Sequence, residues 1–158
     1  MSAELMLQLE VQALYAEYAA RLDAGEYELW LDLFDEDCRY QLVPRENHDA
    51  GLPLATMALE SKGMLKDRIY GVTQTLFHAP YYQRHVIGPP RVQALAGGEI
   101  RAEANYLVVR TKRDEPSEVY NAGRYLDVLV RTPQGLRFRE KRCVFDSELI
   151  LNSVIYPI

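Results

Sequence analysis

The spacing of apolar residues predicts that the first half of the chain is largely helical. Apolar side chains recur every three or four residues over about Ala3–Leu22, Glu26–Phe34 and Ser61 to Thr75 or Leu76. In the first segment the buried stripe would consist of Val11, Leu14, Tyr15, Tyr18 and Leu22. Gly25 separates the first two helices. The acidic run at 35–37 predicts a stop and a turn, because the helix macrodipole disfavours negative charge at a C-terminus.

The pattern changes from helical to strand-like in the second half. The predicted strands are Cys38–Val43, Arg91–Ala96, Glu99–Arg113, Glu118–Arg131 and Leu136–Leu151. Gly97-Gly98 and the segments 114–117 and 132–135 are typical of tight turns. The segment 45–54 is a predicted loop, and 78–80 and 88–90 are predicted connectors. In the final strand, alternation puts Phe138 and Lys141 on opposite faces.

Helices followed by long strands with short turns indicate an α+β fold. We expect a curved antiparallel sheet that forms a cone, with the N-terminal helices covering its mouth. The chain shows no internal repeat, linker or low-complexity tract. A length of 158 residues is typical of one domain, so residues 1–158 are interpreted as a single unit.

Composition narrows the possible partners and the compartment. The net charge is −5 and no cluster of Lys and Arg is present, which argues against nucleic acid and against a polybasic membrane contact. No apolar run approaches the roughly 20 residues that span a bilayer, and the N-terminus lacks the basic region of a secretion signal. The two cysteines, Cys38 and Cys143, are distant in sequence. We therefore expect a reduced, cytoplasmic protein.

The sequence does not predict a redox centre in this chain. A Rieske cluster needs closely spaced Cys and His pairs, and a mononuclear iron triad needs two His and a carboxylate. The histidines are His48, His78 and His85, and neither their spacing nor that of the cysteines matches these patterns. A nucleophile elbow, a phosphate-binding loop and a dinucleotide fingerprint are also absent from the sequence.

Acid–base chemistry inside the cone is the alternative that the sequence leaves open. A carboxylate or imidazole in an apolar pocket acquires a shifted pKa by desolvation. The candidate residues are Asp23, Tyr40, His85 and Arg142. Each also has a structural interpretation: Asp23 as a cap of the second helix, Tyr40 as sheet surface, and Arg142 as an ion-pair partner of Glu140 or of another acidic group.

An ordered set of segments resembles the small (β) subunit of Rieske-type aromatic-ring-hydroxylating dioxygenases. The resemblance spans nearly the whole chain and rests on Trp30–Tyr40, Pro44–Pro53, Leu65–Ile69, Arg84–Ile87, Gly123–Asp127 and Arg139–Asp146. Two positions depart from the family pattern. Gly88-Pro89-Pro90 stands where an Asn is common, and the apolar tail ends in Tyr-Pro-Ile rather than a Pro-Leu type ending.

The resemblance implies a nuclear-transport-factor-2-like, or cystatin-like, cone without a catalytic centre of its own. It implies assembly as an α3β3 hexamer, with self-association as β3. The large (α) subunit would carry a [2Fe-2S] Rieske cluster and a mononuclear non-haem Fe(II), with electrons from NAD(P)H through a reductase. Similarity around 46–53 points to relatives that act on monocyclic aromatic acids such as salicylate, anthranilate or terephthalate.

Several residues acquire structural or interface roles under this resemblance. Polar anchors, within the fold or at a subunit contact, would be Tyr81, Tyr82, Arg84, Arg124 and Arg142. Arg68 would pair with Asp67, and Trp30 and Asp32 would hold the second helix against the sheet. Two other functions remain open at this point: a stand-alone isomerase or dehydratase of the ketosteroid-isomerase or scytalone-dehydratase kind, and a small-ligand binder.

Overall fold

The computed structural model describes residues 1–150 and 153–158 and shows helices packed on one curved sheet. The helices are α1 (Ala3–Ala24), α2 (Tyr27–Leu31), α3 (Arg45–Asp49) and α4 (Lys62–Tyr70), and a π-helical turn (Gly71–Thr75) continues α4. The strands are β1 (Phe34–Pro44), β2 (Met57–Leu59), β3 (Tyr81–Ile87), β4 (Arg91–Ala94), β5 (Ile100–Lys112), β6 (Glu118–Thr132) and β7 (Gly135–Phe145).

The sheet is mixed, which corrects the expectation of a wholly antiparallel one. Its order is β2-β1-β7-β6-β5-β3, and β4 pairs with the other end of β5. β1 runs parallel to β7, with Leu42 opposite Cys143, whereas the other strand pairs are antiparallel. A tight turn imposes antiparallel pairing, but β1 and β7 are far apart in sequence and no turn sets their direction. The α+β class is confirmed.

The boundary between α2 and β1 differs from the prediction. The second helix was expected to reach Phe34, but it ends at Leu31, and Phe34 begins the strand. The acidic run therefore lies in β1, at a register shift between Phe34 and Arg39. Asp35 pairs with Arg139 at 3.1 Å and Glu36 with Lys62 at 2.9 Å. These ion pairs with residues distant in the sequence offset the negative charge of the acidic run.

Three short elements were not predicted, and the final strand is shorter than expected. Strand β3 lies between the two predicted connectors. Its buried face carries the polar residues Gln83 and His85, so its sequence lacks the alternation of apolar and polar residues that predicts a strand. The predicted loop contains α3, and β2 follows it. β7 ends at Phe145, and Leu151, the predicted end of that strand, lies outside the described residues.

A β-bulge at Arg139 also changes which side chains of β7 face the interior. On β6, Val128 lies opposite Glu140, but the next residue, Leu129, lies opposite Phe138. Because the bulge inserts one residue, Phe138 and Lys141 face the same side, contrary to simple alternation. Both side chains are fully buried.

Aromatic side chains fill the interior of the cone. The predicted stripe of α1 is buried throughout, which confirms the core-facing side of that helix. Tyr18 lies at the centre, with ring centroids 5.3 Å from Phe138, 6.0 Å from Trp30 and 6.0 Å from Tyr125. Tyr18, Trp30, Tyr125 and Phe138 have no exposed surface, and neither has Ile158, which packs among them.

A buried ion pair lies inside this aromatic core. The Lys141 ammonium donates to the Asp127 carboxylate at 2.9 Å, and both side chains are fully buried. The Tyr15 hydroxyl donates to the same carboxylate at 2.7 Å. Lys141 Nζ also lies 3.2 Å from the ring centroid of Tyr125 and 4.4 Å from that of Tyr18. The charge is thus held by one carboxylate and by the faces of aromatic rings.

Burial shifts both groups of the pair toward their neutral forms. Burial lowers the pKa of Lys141, and the Asp127 charge opposes that change. Burial likewise raises the pKa of the Asp127 carboxyl, while Lys141 and the hydrogen bond from Tyr15 oppose it. Each partner therefore depends on the other to remain charged in the interior.

Removal of one partner of this pair should strongly destabilise the fold. We expect Lys141→Met to lower the free energy of unfolding by about 3–5 kcal/mol, because it leaves Asp127 buried without its cation. The double variant Lys141→Met/Asp127→Leu should be more stable than the single one by about 1 kcal/mol or more. Urea unfolding measures both differences.

A surface pair provides the matched control for this prediction. Lys112 lies 3.8 Å from Glu115 on the surface, and Lys112→Met should change the free energy of unfolding by less than about 1 kcal/mol. Equal losses for Lys141→Met and Lys112→Met would show that the buried pair contributes no more than an exposed one.

Candidate functional site

Two of the four acid–base candidates, Asp23 and His85, lie in direct contact. Asp23 is near the end of α1, and His85 is in the middle of β3. Asp23 Oδ1 lies 2.6 Å from His85 Nδ1, and Asp23 Oδ2 accepts from the main-chain N–H of His85 at 3.0 Å. The His85 side chain is fully buried, and within the described part of the chain its Nε2 atom has no hydrogen-bond partner.

This contact has a chemical and a structural consequence. A carboxylate that holds the proton on Nδ1 leaves the Nε2 lone pair free, which is the arrangement of an oriented general base. The same carboxylate also accepts a hydrogen bond from the main-chain N–H of His85. This N–H would otherwise lack a partner in the sheet, because β3 is an edge strand. A covered edge resists pairing with another chain. An open groove of about 570 Å³ between α1 and the segment 84–90 runs beside His85.

Tyr40 lies deep in the core and not on the sheet surface. It has no exposed surface, so the interpretation of Tyr40 as sheet surface was wrong. Its hydroxyl donates to the main-chain oxygen of Ile158 at 3.2 Å and accepts from the Ile158 N–H at 2.8 Å. Burial raises the pKa of this phenol well above its usual range. Tyr40 therefore binds Ile158 and makes no described hydrogen bond to Asp23 or His85.

Arg142 lies on the outer face of β7, opposite to Lys141. Its Nη1 atom is 3.3 Å from His48 Nδ1, so the contact is with an imidazole and not with the predicted Glu140. Its main-chain N–H donates to Asp127 at 3.3 Å. Burial, with the Arg142 charge next, lowers the pKa of His48. Of the four candidates, the structure thus joins Asp23 with His85 and separates Arg142 from them.

Two of the proposed anchors lie on the outward side of the edge strand β3. Tyr82 is 78% exposed and Arg84 is also exposed. Tyr81 points the other way and packs against Tyr120 and Tyr156, at centroid distances of 6.1 and 5.0 Å. Tyr82 and Arg84 are therefore available for contact with another subunit, whereas Tyr81 belongs to the fold.

Most of the other residues that were expected to have structural or interface roles have intramolecular contacts. Arg124 lies 3.9 Å from Asp49 across the outer face. Arg68 does not bond to its neighbour Asp67 but donates to the main-chain oxygens of Val154 and Ile155, at 3.0 and 2.8 Å. Trp30 is fully buried and packs edge-on against Phe34 at 4.8 Å, whereas Asp32 is exposed.

Three prominent residues of the interior were not among the sequence candidates. Lys141 and Asp127 form the buried pair, and Ile158 binds the hydroxyls of two core tyrosines. Charged residues inside long apolar strands were the available signal for the pair. For Lys141 this signal failed because of the bulge at Arg139. Regular alternation along β7 places Lys141 on the face opposite to Phe138, whereas the bulge brings both side chains to the buried face.

The described residues provide neither a metal-binding cluster nor a membrane-spanning helix. Across residues 1–150 and 153–158, no group of three or more His, Cys, Asp or Glu side chains is arranged to hold a metal ion. His48, His78 and His85 contact Arg142, Tyr156 and Asp23 respectively. No helix in this described part of the chain combines the length and the apolar character needed to cross a membrane.

Comparisons with known proteins agree on one family. Residues 3–142 match the SnoaL-like domain. The anthranilate 1,2-dioxygenase small subunit of Burkholderia cepacia is 35% identical over 158 residues, which cover 100% of this chain and 98% of that protein. The terephthalate 1,2-dioxygenase terminal oxygenase component subunit beta 2 of a Comamonas species is 28% identical over 151 residues, 96% of this chain and 98% of that protein.

A solved structure supports the same assignment. The crystal structure of a β subunit ascribed to an aromatic-ring-hydroxylating dioxygenase of Novosphingobium aromaticivorans superposes with a TM-score of 0.90. The two chains are 34% identical, and the match covers 99% of this chain and all of that one. The chain therefore belongs to the SnoaL-like domain family and, within it, to the small, or β, subunits of aromatic-ring-hydroxylating dioxygenases.

Proposed function

We propose that this chain is a non-catalytic, structural β subunit that holds a large catalytic subunit in an α3β3 hexamer, with the β subunits associated as β3. Relatives named as small subunits and as components of a terminal oxygenase support the existence of a larger partner. The trimeric stoichiometry follows from the family resemblance. The chain would act as one domain, residues 1–158, in the cytoplasm.

The observation that carries this proposal is the filled interior of the cone. An enzyme on this fold needs a pocket that admits a substrate to a titratable group. Here the central space is occupied by Tyr18, Trp30, Phe138 and Ile158, each with almost no exposed surface. The outward face of β3, in contrast, offers Tyr82 and Arg84 to a partner. This distribution fits a protein that stabilises others by contact.

The chemistry of the complex would belong to the large subunit. That partner would carry a [2Fe-2S] Rieske cluster and a mononuclear non-haem Fe(II), with electrons from NAD(P)H through a reductase. The substrate would be a monocyclic aromatic acid, since the two relatives described above are named for anthranilate and terephthalate. Substrate contacts would lie in the large subunit, so the range of substrates should follow that subunit when subunits of two relatives are exchanged.

Assembly should stabilise this chain measurably. We expect co-expression with a large subunit to give one stable complex, and we expect this chain to melt at a higher temperature in the complex than alone, because a partner that binds the folded state stabilises it by mass action. Size-exclusion chromatography with light scattering and differential scanning fluorimetry measure the two quantities. Equal melting temperatures, or separate elution of the two chains, would contradict the proposal.

The outward side of β3 should contribute to that assembly. We expect the double variant Tyr82→Ser/Arg84→Glu to weaken binding of the large subunit about tenfold or more, because exposed Tyr and Arg are frequent interface anchors. The melting temperature of the free chain should change little. Arg113→Glu is the matched control, since Arg113 is 94% exposed in the turn between β5 and β6. Equal binding by the β3 variant and the control would remove β3 from the interface.

A stand-alone isomerase or dehydratase is the second candidate, and the contact between Asp23 and His85 is the observation that favours it. Such an enzyme would need an oriented imidazole, and residue 85 lines an open groove, although the His85 ring itself is buried. The alternative requires turnover by the purified chain, with loss of that turnover when Asp23 no longer orients His85.

Replacement of Asp23 separates the two functions. We expect Asp23→Asn to lower the melting temperature of the chain, because a neutral amide binds His85 more weakly than a carboxylate does. Oxygen consumption by the assembled complex with a monocyclic aromatic acid should stay within about twofold. Glu17→Gln, at a partly exposed position of the same helix, is the control. Turnover by the purified chain that is lost with Asp23→Asn would support the enzyme instead.

A further inference from the structure

Helix α1 carries a second, mainly apolar stripe, which points away from the core. Its residues follow one another at intervals of four and three positions, the spacing of a coiled-coil seam, and are Leu5, Leu9, Gln12, Ala16 and Ala19. Leu5 and Leu9 are 49% and 45% exposed, and only Ala19 is partly covered. The core-facing residues of α1 begin later, at Val11. This stripe, the α1 seam, is therefore a helix face without a partner among the described residues.

The second half of the α1 seam borders the groove between α1 and the segment 84–90. The groove has a volume of about 570 Å³, and Ala16, Ala19 and Pro90 are among the residues that line it. Gln8 Nε2 donates to the Pro90 oxygen at 2.6 Å, which holds the second wall of the groove beside the helix. The α1 seam thus presents two leucines in its first half and a groove with small side chains in its second half.

The two halves of the α1 seam complement each other when two copies of the chain meet. If two α1 helices lie antiparallel and cross at Gln12, Leu5 of one copy lies opposite Ala19 of the other, and Leu9 lies opposite Ala16. Each large side chain then faces a small one, which is how helices interdigitate. The two Gln12 amides meet at the crossing point, and each offers the other a donor and an acceptor. Because both copies make the same contacts, the arrangement has two-fold symmetry.

Two exposed charges match in the same arrangement. Glu4 precedes Leu5 on α1, and Arg84 lines the groove together with Ala19. Both side chains are exposed, and within the described part of the chain neither forms an ion pair. When Leu5 lies opposite Ala19 of the second copy, Glu4 lies beside Arg84 of that copy, and the symmetry repeats the pair. This match of charge, added to the match of size, favours a second copy of the chain as the occupant of the groove.

We propose that the free chain forms a two-fold, antiparallel dimer through the α1 seam, with Leu5 and Leu9 of each copy seated in the groove of the other. The seam is about 21 Å long. A single helix of this length covers less than the roughly 800 Å² per partner of a standard interface, so the dimer is reversible, with a dissociation constant on the order of 10 µM. The dimer covers Arg84, which the proposed function places against the large subunit, so binding of that subunit dissociates it. This last step alone rests on the proposed function.

Sedimentation velocity of the full free chain tests the dimer. From about tenfold below to about tenfold above the expected dissociation constant, the chain should pass from monomer to dimer. Leu9→Glu should weaken the dimer about tenfold or more, because it brings a charge into an apolar contact, and the exposed position leaves the fold intact. Leu29→Glu is the matched control, since Leu29 lies in α2, outside the seam, and is 47% exposed. This control should leave the dissociation constant unchanged.

Charge reversal tests the antiparallel register. Glu4→Arg and Arg84→Glu should each weaken the dimer about threefold or more, and the double variant Glu4→Arg/Arg84→Glu should recover most of the wild-type affinity. Such recovery arises between copies and not within one chain. Arg84 adjoins His85, which contacts Asp23 near the end of α1, and about 28 Å of helix separates Asp23 from Glu4.

A cysteine at the crossing point tests the two-fold symmetry. Gln12→Cys should form a disulfide between two copies when oxidised glutathione is added, because only residues near the axis lie within the roughly 4.4–6.8 Å between Cα atoms that a disulfide needs. The native Cys38 and Cys143 are buried and do not compete. Arg113→Cys is the control, at a position 94% exposed, and should stay largely monomeric. Non-reducing gel electrophoresis measures the fraction of covalent dimer.

Several results would overturn the proposal. A chain that stays monomeric throughout the concentration range does not use the α1 seam in this way. Equal association of Leu9→Glu and Leu29→Glu would place the contact on another face. Charge reversals that do not compensate, or equal cross-linking of Gln12→Cys and Arg113→Cys, would exclude the antiparallel arrangement. Each of these measurements is made on the free chain, so failure to bind a large subunit would contradict the proposed function and leave the dimer standing.

Discussion

The architecture depends on a lysine and an aspartate that are buried together in the middle of an aromatic core. Lys141 reaches Asp127 because the bulge at Arg139, where β7 has one residue more than β6, turns the lysine side chain inward. Tyr15 on α1 bonds to the same carboxylate, so helix and sheet meet at one point. A misplaced register would bury each charge alone, which is far more costly than burying the pair. The pair therefore selects one arrangement of the sheet.

The curved sheet has an inner face that packs against the core and an outer face that carries polar side chains. Inside, aromatic rings and Ile158 occupy the space that a pocket would need. Outside, arginine and tyrosine side chains stand on the sheet, with Arg124 near Asp49 and Tyr82 exposed on the edge strand. The inner face stabilises the fold, and under the proposed function the outer face would contact the large subunit. The proposed role as a structural subunit is supported by this combination.

Local patterns in the sequence predict the helices and the long strands of this fold, whereas contacts between distant residues determine the rest. The stripe of α1 and the long strands with their turns were predictable, because period and turn residues are local signals. Strand β3 was missed since Gln83 and His85 occupy its buried face. The contact of Asp23 with His85 joins residues 62 positions apart, so listing both as candidates was possible but pairing them was not. The inward turn of Lys141 depends on a bulge that no residue type announces.

The parallel pairing of β1 with β7 has a consequence for how the chain folds. Leu42 and Cys143 lie side by side although they are about a hundred residues apart, so the centre of the sheet closes a very long loop. Loop closure of this kind carries an entropic cost before any contact compensates it, and folds with high contact order form slowly. Until β7 is in place, the apolar side chains of β1 have no partner on that side. The unassembled intermediate is thus the state most exposed to aggregation, and the time spent in it is set by topology rather than by final stability.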